Sequence, residues 1–536
     1  MYARLGLWAW LGLGLGELLL AGGLDAGRAA LLIGAWALIG WIFRHFSPWL
    51  AVLATLIGSL LLSLDARGVG LIFAALGLLF VGGWSLRGLG DYRRAGLVAV
   101  GPALLLSAWM RGIPLELPRS EPDGRPGTAQ VLLVTMDTLR ADIPLPSFQK
   151  LAARGRTGPA WATGPWTVPS VGSILTGRSP YEHGAVIRPP TRGNTRIGHL
   201  QVQSLAQTYA AAGWRTLAVV ENPQISPGRR FDAGFQVWDH AQLRRPPRSL
   251  LLDPLGWGLD GQPLKPGPAD PEARVDRALE LLRTSDTNTF LWVHLLGPHL
   301  PYAHAATPLL DAALGPGAGG RLNLSHLRSG QLRWTPALKA ELFAAYRQEA
   351  ERADAALGRL IDGAGPEAIV LYTADHGEEF GEHGGWEHGH SLYEELLRVP
   401  LAFAGPEIPP GTWSNPASLI DVAPTLLALS GLSPHGSGVD LRNEPPLRLL
   451  PLVNSLYGAE QEGLLWGHHK YTRSPEEGTA RLVDLAADPQ EARDLCPTLP
   501  LQCQQFARKM DEERGRLEET PSARLEAAVR ALGYAE

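Results

Sequence analysis

The chain has 536 residues and a formal net charge of −5; it is 45% hydrophobic and only 19% charged. Such a length implies more than one structural unit, and the charge falls below the quarter typical of soluble domains. Two cysteines exclude a disulfide-built scaffold, and the lack of any long Lys/Arg run speaks against nucleic acid as a partner.

The charge is unevenly spread. Up to Arg111 there are eight Arg, no Lys and four acids (Glu17, Asp25, Asp65, Asp91), a balance of +4 that leaves −9 for the remainder. Apolar runs at 5–24, 29–43, 48–64, 69–86 and 96–110 each approach the roughly 17–25 residues that cross a bilayer. Residues 1–112 therefore read as a transmembrane anchor of about five helices, with four as the alternative. Arg4, Arg44, Arg87, Arg93 and Arg94 fall on one side and only Arg28 and Arg67 on the other. The Arg-rich side is the cytoplasmic one, so the chain after Arg111 emerges on the outer face. Glu17 sits among Gly12, Gly14 and Gly16, a pattern of close helix packing rather than transport.

Residues 113–128, rich in Pro and Gly, read as a linker. After it, strand and helix patterns alternate. The run QVLLVTM at 130–136 is apolar throughout, as in a strand buried on both faces. A helical period covers 200–212 and stops at Gly213, and TLAVV at 216–220 is the next strand. TFLWVHL at 289–295, a long amphipathic helix at 336–361 and AIVLYT at 368–373 follow. The alternation implies an α/β sandwich around a mostly parallel sheet. Residues 129–480 form the expected catalytic domain, and 481–536 a C-terminal subdomain that Cys496 and Cys503 can clasp, reduced thiols being the alternative.

In such sheets ligands collect at the carboxyl ends of the strands. Asp137 follows the first strand, Asp375 and His376 a later one, and His294 and His299 are assigned to the end of another. Carboxylates with imidazoles suit Zn²⁺ or Mn²⁺, and fewer imidazoles suit Mg²⁺ or Ca²⁺, so the metal stays undistinguished.

The segment GPWTVPSVGSILTGRSPYEHG at 164–184 resembles the nucleophile segment of the sulfatase branch of the alkaline phosphatase superfamily. MDTLRAD, PHLPY, Asp375-His376-Gly377, SLYEELLRVPL, LIDVAPTLLALSGL and the closing ALGY extend the resemblance from about Ala129 to the C-terminus. It implies an alkaline phosphatase-like α/β fold. Two departures stand out. Thr167 occupies the position of the Cys or Ser that becomes formylglycine, and Val171 replaces an Arg. A Thr nucleophile with a single acid at the first strand end resembles the membrane-bound phosphoethanolamine and phosphoglycerol (lipoteichoic acid synthase-like) transferases. That resemblance implies a bacterial-type inner membrane protein with several spans, a periplasmic or extracellular catalytic domain, and a lipid or glycan ester substrate.

By the same resemblance Asp137, Thr167, Asp375 and His376 hold one divalent cation, and Thr167 attacks phosphorus to form a covalent intermediate. His388 and His299 are candidates for leaving-group protonation, with a second cation near His388 as another role. His294, Arg178 and Arg140 are candidate substrate contacts, although Arg140 can instead pair with Asp142. Ser170 and Ser173 are rival hydroxyls, and His183 and His383 are undecided between site and structure. Asp421 is expected to cap a helix. The alternatives are a sulfatase acting without formylglycine and a non-catalytic, membrane-anchored binding protein.

Overall fold

The run Gln130–Met136 (β1) is buried along all but its first residue, and a strand of that kind needs a neighbour on each side and cover on both faces. A computed structural model describes residues 129–187, 198–240, 269–302, 307–314, 335–453 and 455–518, and provides both. The expected membrane spans and linker lie outside these residues; among the described residues no helix is long and apolar enough to cross a membrane.

The remaining strands of the main sheet are β2 (Arg156–Thr157), β3 (Arg215–Val220), β4 (Val237–His240), β5 (Thr289–Leu295), β6 (Ile369–Ala374), β7 (Leu401–Ala404) and β8 (Gly411–Thr412). Their order is β8-β2-β7-β6-β1-β5-β3-β4. From β6 to β4 all pairings are parallel, while β7 runs antiparallel to both β6 and β2. This is the alkaline phosphatase-like α/β arrangement. Thr135 of β1 lies level with His294 on one side and Thr373 on the other, so three strand ends open at the same height.

The helices are α1 (Pro146–Arg154), α2 (Thr167–Thr176), α3 (Leu205–Ala211), α4 (Pro271–Arg283), α5 (Pro336–Ala364), α6 (Val422–Leu429) and α7 (Pro500–Glu518). In α5 Leu338, Leu342, Ala345, Ala353, Leu357 and Leu360 bury one stripe, and the Thr335 side chain caps the start. It runs three residues past the expected end. The helix expected at 200–212 begins only at Leu205, because the Ser204 hydroxyl and Gln207 form a capping box there.

Leu450–Val453 (β9), Glu462–Trp466 (β10), His469–Ser474 (β11) and Thr479–Asp484 (β12) form a separate antiparallel sheet. Helix α7 packs on it around Val453, Leu464, Tyr471, Leu482 and Met510. The boundary expected at 480/481 therefore falls inside β12; hydrogen bonding joins the C-terminal unit from Leu450 onward. Cys496 and Cys503 are bridged beside this core. The buried Lys470 ammonium ties the sheet to the larger domain, contacting Glu394 at 2.9 Å, Glu491 at 2.6 Å and the Leu392 carbonyl at 2.8 Å. Asp421 makes no side-chain cap bond to α6 itself, but it closes a capping box with Ser418 on the turn Leu419–Asp421 that leads into that helix. Its carboxylate is taken by Arg448 and by the N–H groups of Ser418 and Val439.

Candidate active site

Each side chain of the site stands where a strand stops or a helix starts. β1 delivers Asp137, β6 delivers Asp375 and His376, and β3 delivers Asn222 two residues past its end. His294 lies within β5, one residue before its end, rather than after it. Thr167 is the first residue of α2, whose N-terminus carries no side-chain cap, so the positive end of the helix dipole faces the site.

These groups converge. Ligand atoms of Asp137, Asp375 and His376 all lie within 4.8 Å of one another, fully buried. The His376 Nε2 atom is 3.5 Å from Asp137 Oδ1, 3.5 Å from Asp375 Oδ2 and 3.4 Å from the Thr167 hydroxyl. Those two carboxylate oxygens are buried with no hydrogen-bond partner. Orphaned acceptors of that kind, aimed at one point beside an imidazole nitrogen, are the donor set a divalent cation requires. The residues present thus fit a metal, and all four expected ligands come together. The remaining oxygens are held from outside: Asp375 Oδ1 accepts the N–H groups of Thr138 at 3.2 Å and His376 at 2.9 Å. Asp137 Oδ2 accepts a short bond from the Asn222 amide.

The electrostatics follow from burial. Burial and the neighbouring Asp137 push the Asp375 carboxyl well above its ordinary range. Burial also raises Asp137, but the hydrogen bond to His294 and the surrounding imidazoles outweigh it and hold the group below its usual value. Burial, reinforced by His388, lowers His376 to about 3, which keeps Nε2 an available lone pair.

Around this centre stand three more histidines. His294 Nε2 is 3.4 Å from Asp137, and its Nδ1 meets the Thr135 hydroxyl at 2.8 Å. The His388 ring lies 4.5 Å from that of His376 and 5.0 Å from that of His299. The rival hydroxyls are occupied elsewhere: Ser170 donates to the Gly164 carbonyl and Ser173 meets Thr163 and His183. His183 is buried against the Pro169 carbonyl, and His383 pairs with Glu395 and stacks on Tyr393, so both are structural.

The two arginines do not join the site. Arg140 is gripped by Asp142 and Glu382, each at 2.7 Å. Arg178 lies past the far end of α2, roughly 15 Å of helix from Thr167. It is 3.7 Å from Glu182. Two residues escaped the sequence reading. The Asn222 amide donates to the Thr167 hydroxyl at 3.2 Å as well as to Asp137, and Glu378 accepts from His388 at 2.9 Å. Asn222 was within reach of the strand-end rule, since it closely follows TLAVV. Nothing in Glu378's position separates it from the other acids of GEEFGE.

A hydroxyl at a helix start, set against two aspartates and a histidine at the ends of parallel strands, defines an ester-cleaving or ester-transferring enzyme of the alkaline phosphatase type. The sulfatase family model matches residues 130–432, more than half the chain, and the protein belongs to that family. The low-salt glycan biosynthesis sulfotransferase Agl7 of Haloferax volcanii is 27% identical over 347 residues, 61% of this chain and 68% of that protein. Choline-sulfatase of Rhizobium meliloti is 36% identical over 157 residues, but these are only 26% of this chain and 28% of that enzyme. Among solved structures, the phosphonate monoester hydrolase SpPMH of Silicibacter pomeroyi superposes with a TM-score of 0.55 at 20% identity, over 72% of this chain and 95% of that one. A 2-O GAG sulfatase gives 0.53 at 16%, over 73% and 92%. At these identities the superpositions speak for the fold.

Proposed function

We propose that this sulfatase-family enzyme is metal-dependent and transfers or hydrolyses a phosphoester group through a covalent intermediate on Thr167. The observation that carries the reading is the Thr167 hydroxyl at an uncapped helix start, beside His376 Nε2 and the two orphaned carboxylate oxygens. Asp137, Asp375, His376 and the Thr167 oxygen would hold the cation, which would act as a Lewis acid and lower the pKa of the hydroxyl.

The protein groups supply the rest. Asn222 orients the Thr167 oxygen for in-line attack. Non-bridging oxygens of the substrate meet the N-terminal end of α2 and the histidines, which take the place of the arginine that Val171 displaces. His388 and His299 stand close enough to the centre to exchange a proton with the leaving or incoming oxygen. Thr167 carries a methyl on its carbinol carbon and cannot become formylglycine, which favours direct attack by the hydroxyl.

The apolar runs of residues 1–112 support anchoring in a membrane with the catalytic domain outside, and the Cys496–Cys503 bridge suits an oxidising compartment. A lipid ester is then a substrate within reach. A second reading, sulfuryl transfer through unmodified Thr167, draws on the sulfotransferase activity for which the Haloferax relative is named. The test incubates the full chain in detergent with labelled phosphatidylglycerol, phosphatidylethanolamine and an aryl sulfate, then maps peptides by mass spectrometry. A phosphorus-containing adduct on Thr167 is expected. Sulfate turnover with no such adduct would replace the first reading by the second.

A further inference from the structure

We propose that His468, His469 and Asp484 form a further cation site, separate from the Thr167 centre, which takes a divalent ion of the Zn²⁺ class and fastens the antiparallel sheet of the C-terminal unit. The inference does not depend on the ester reading. The site is built by strand pairing. Gly467 and His468 form the two-residue turn between β10 and β11, with Trp466 opposite His469. Gly467, at a φ of 61°, takes the left-handed conformation that such a turn requires. Across the next ladder His469 lies opposite Asp484, the last residue of β12. The His468 carbonyl accepts the Leu485 N–H at 2.8 Å, which bonds the turn to the residue after Asp484. Backbone pairing therefore brings two imidazoles and a carboxylate to one place.

One ligand atom from each of the three lies within 4.8 Å of the others. His468 Nε2 is 3.7 Å from Asp484 Oδ1, beyond hydrogen-bonding reach, and the two imidazole centroids are 4.4 Å apart. Among the described residues neither ring is engaged in a hydrogen bond. Asp484 is held from behind, its Oδ1 accepting the N–H groups of Ala486 at 3.0 Å and Ala487 at 3.3 Å. A carboxylate offers about four lone-pair sites, so this anchoring orients the group without using it up.

Two nitrogens and one oxygen are donors for a Zn²⁺-like ion, whereas Mg²⁺ and Ca²⁺ take oxygen throughout. With bonds of about 2.0–2.2 Å, neighbouring ligands of a tetrahedral ion stand roughly 3.3–3.5 Å apart. The His468–Asp484 spacing is close to that, and the His468 side chain, 55% exposed, has room to rotate the rest of the way. Water completes the coordination at this surface position. Since β12 is the edge strand of its sheet, an ion here ties that edge to the β10–β11 hairpin.

The test uses the tag-free full chain in detergent, stripped with EDTA and dialysed against Zn²⁺ as the sole metal. Asp375→Asn serves as the parent, because it removes a carboxylate from the other cation site. Zinc per chain is measured by elemental analysis, and melts are recorded with and without Zn²⁺. Adding His468→Ala and His469→Ala is expected to lower bound zinc by about one ion per chain and to abolish a Zn²⁺-dependent rise in Tm of about 2 °C or more. Asp484→Asn, which keeps an oxygen for the Ala486 and Ala487 N–H groups, is expected to weaken zinc binding about tenfold or more. Equal zinc content with and without the two histidines, as a plain His468–Asp484 surface ion pair gives, overturns the proposal. So does an Asp484→Asn chain that binds zinc as tightly as its parent. Zinc that is lost with the histidines but never raises Tm overturns the fastening role.

Discussion

Replacing Thr167 by valine exchanges its hydroxyl for a methyl group of similar size. The side chain is 1% exposed, so the change is confined to the site. The hydroxyl contacts only Asn222 at 3.2 Å and His376 at 3.4 Å among the bonds described for it, and Asn222 keeps its bond to Asp137. The stability change is therefore held to about 1 kcal/mol, the worth of one ordinary hydrogen bond. The rate should fall by about 10³-fold or more, equivalent to roughly 4 kcal/mol of transition-state stabilisation. That gap between stability and rate separates a nucleophile from a structural hydroxyl. Thr167→Ser removes a methyl group, costs about 0.8 kcal/mol of burial and should keep activity within about tenfold. Ser170→Ala, which loses only the bond to the Gly164 carbonyl, should keep it within about threefold. The assay pairs initial rates on a chromogenic phosphodiester with thermal melts of the same preparations. A valine variant that retains a tenth of the wild-type rate while melting normally would end the case for Thr167 as nucleophile.

Three further outcomes follow from the same geometry. In chelator-treated protein the raised Asp375 favours the folded state at acid pH, and that contribution is lost as pH rises through its elevated folded value. Thermal melts in EDTA should show this slope, and Asp375→Asn should flatten it while abolishing metal uptake and activity; an unchanged slope would refute the Asp137–Asp375 repulsion. Lys470→Met strands the buried Glu491 carboxylate and should destabilise the protein by about 3–5 kcal/mol. Burial already raises Glu491 against the lowering effect of Lys470, so the deficit should shrink as pH falls and the stranded acid takes up a proton. Equal melting losses at pH 5 and pH 8 would count against this. Opening the Cys496–Cys503 bridge by Cys→Ser releases a loop of about eight residues, worth at most about 2.5 kcal/mol by chain entropy. Limited proteolysis should then cut near α7, with activity unchanged; loss of activity at full folding would contradict a purely structural role for the bridge.

Local signals were enough for the main elements and for the residues that converge on the candidate site. QVLLVTM and TFLWVHL are apolar without a helical period, and they became β1 and β5 with the expected bounds. Asp137, Asp375 and His376 were legible because the carboxyl end of a parallel strand is where such sheets place ligands. Thr167 was legible by resemblance of its segment. Asp421 caps as its position suggests, closing a capping box with Ser418, but its carboxylate also holds Arg448, 27 residues away, a partner that no local pattern announces.

Composition and periodicity thus set the strand content, the strand-end chemistry and the family resemblance, because each depends on residues close together in the chain. Folding alone assigned the partners. Asn222 reaches Thr167 across 55 positions, Lys470 reaches Glu394 across 76, and Arg140 is turned away from the substrate by Glu382, 242 positions on. Pairings at such separations depend on the order in which strands enter the sheet and on which side chains share a buried space. No local pattern encodes either. The low overall charge of the chain is clearer for it: the described body is well supplied with charged groups, and many of them are buried in pairs that only the tertiary structure could form.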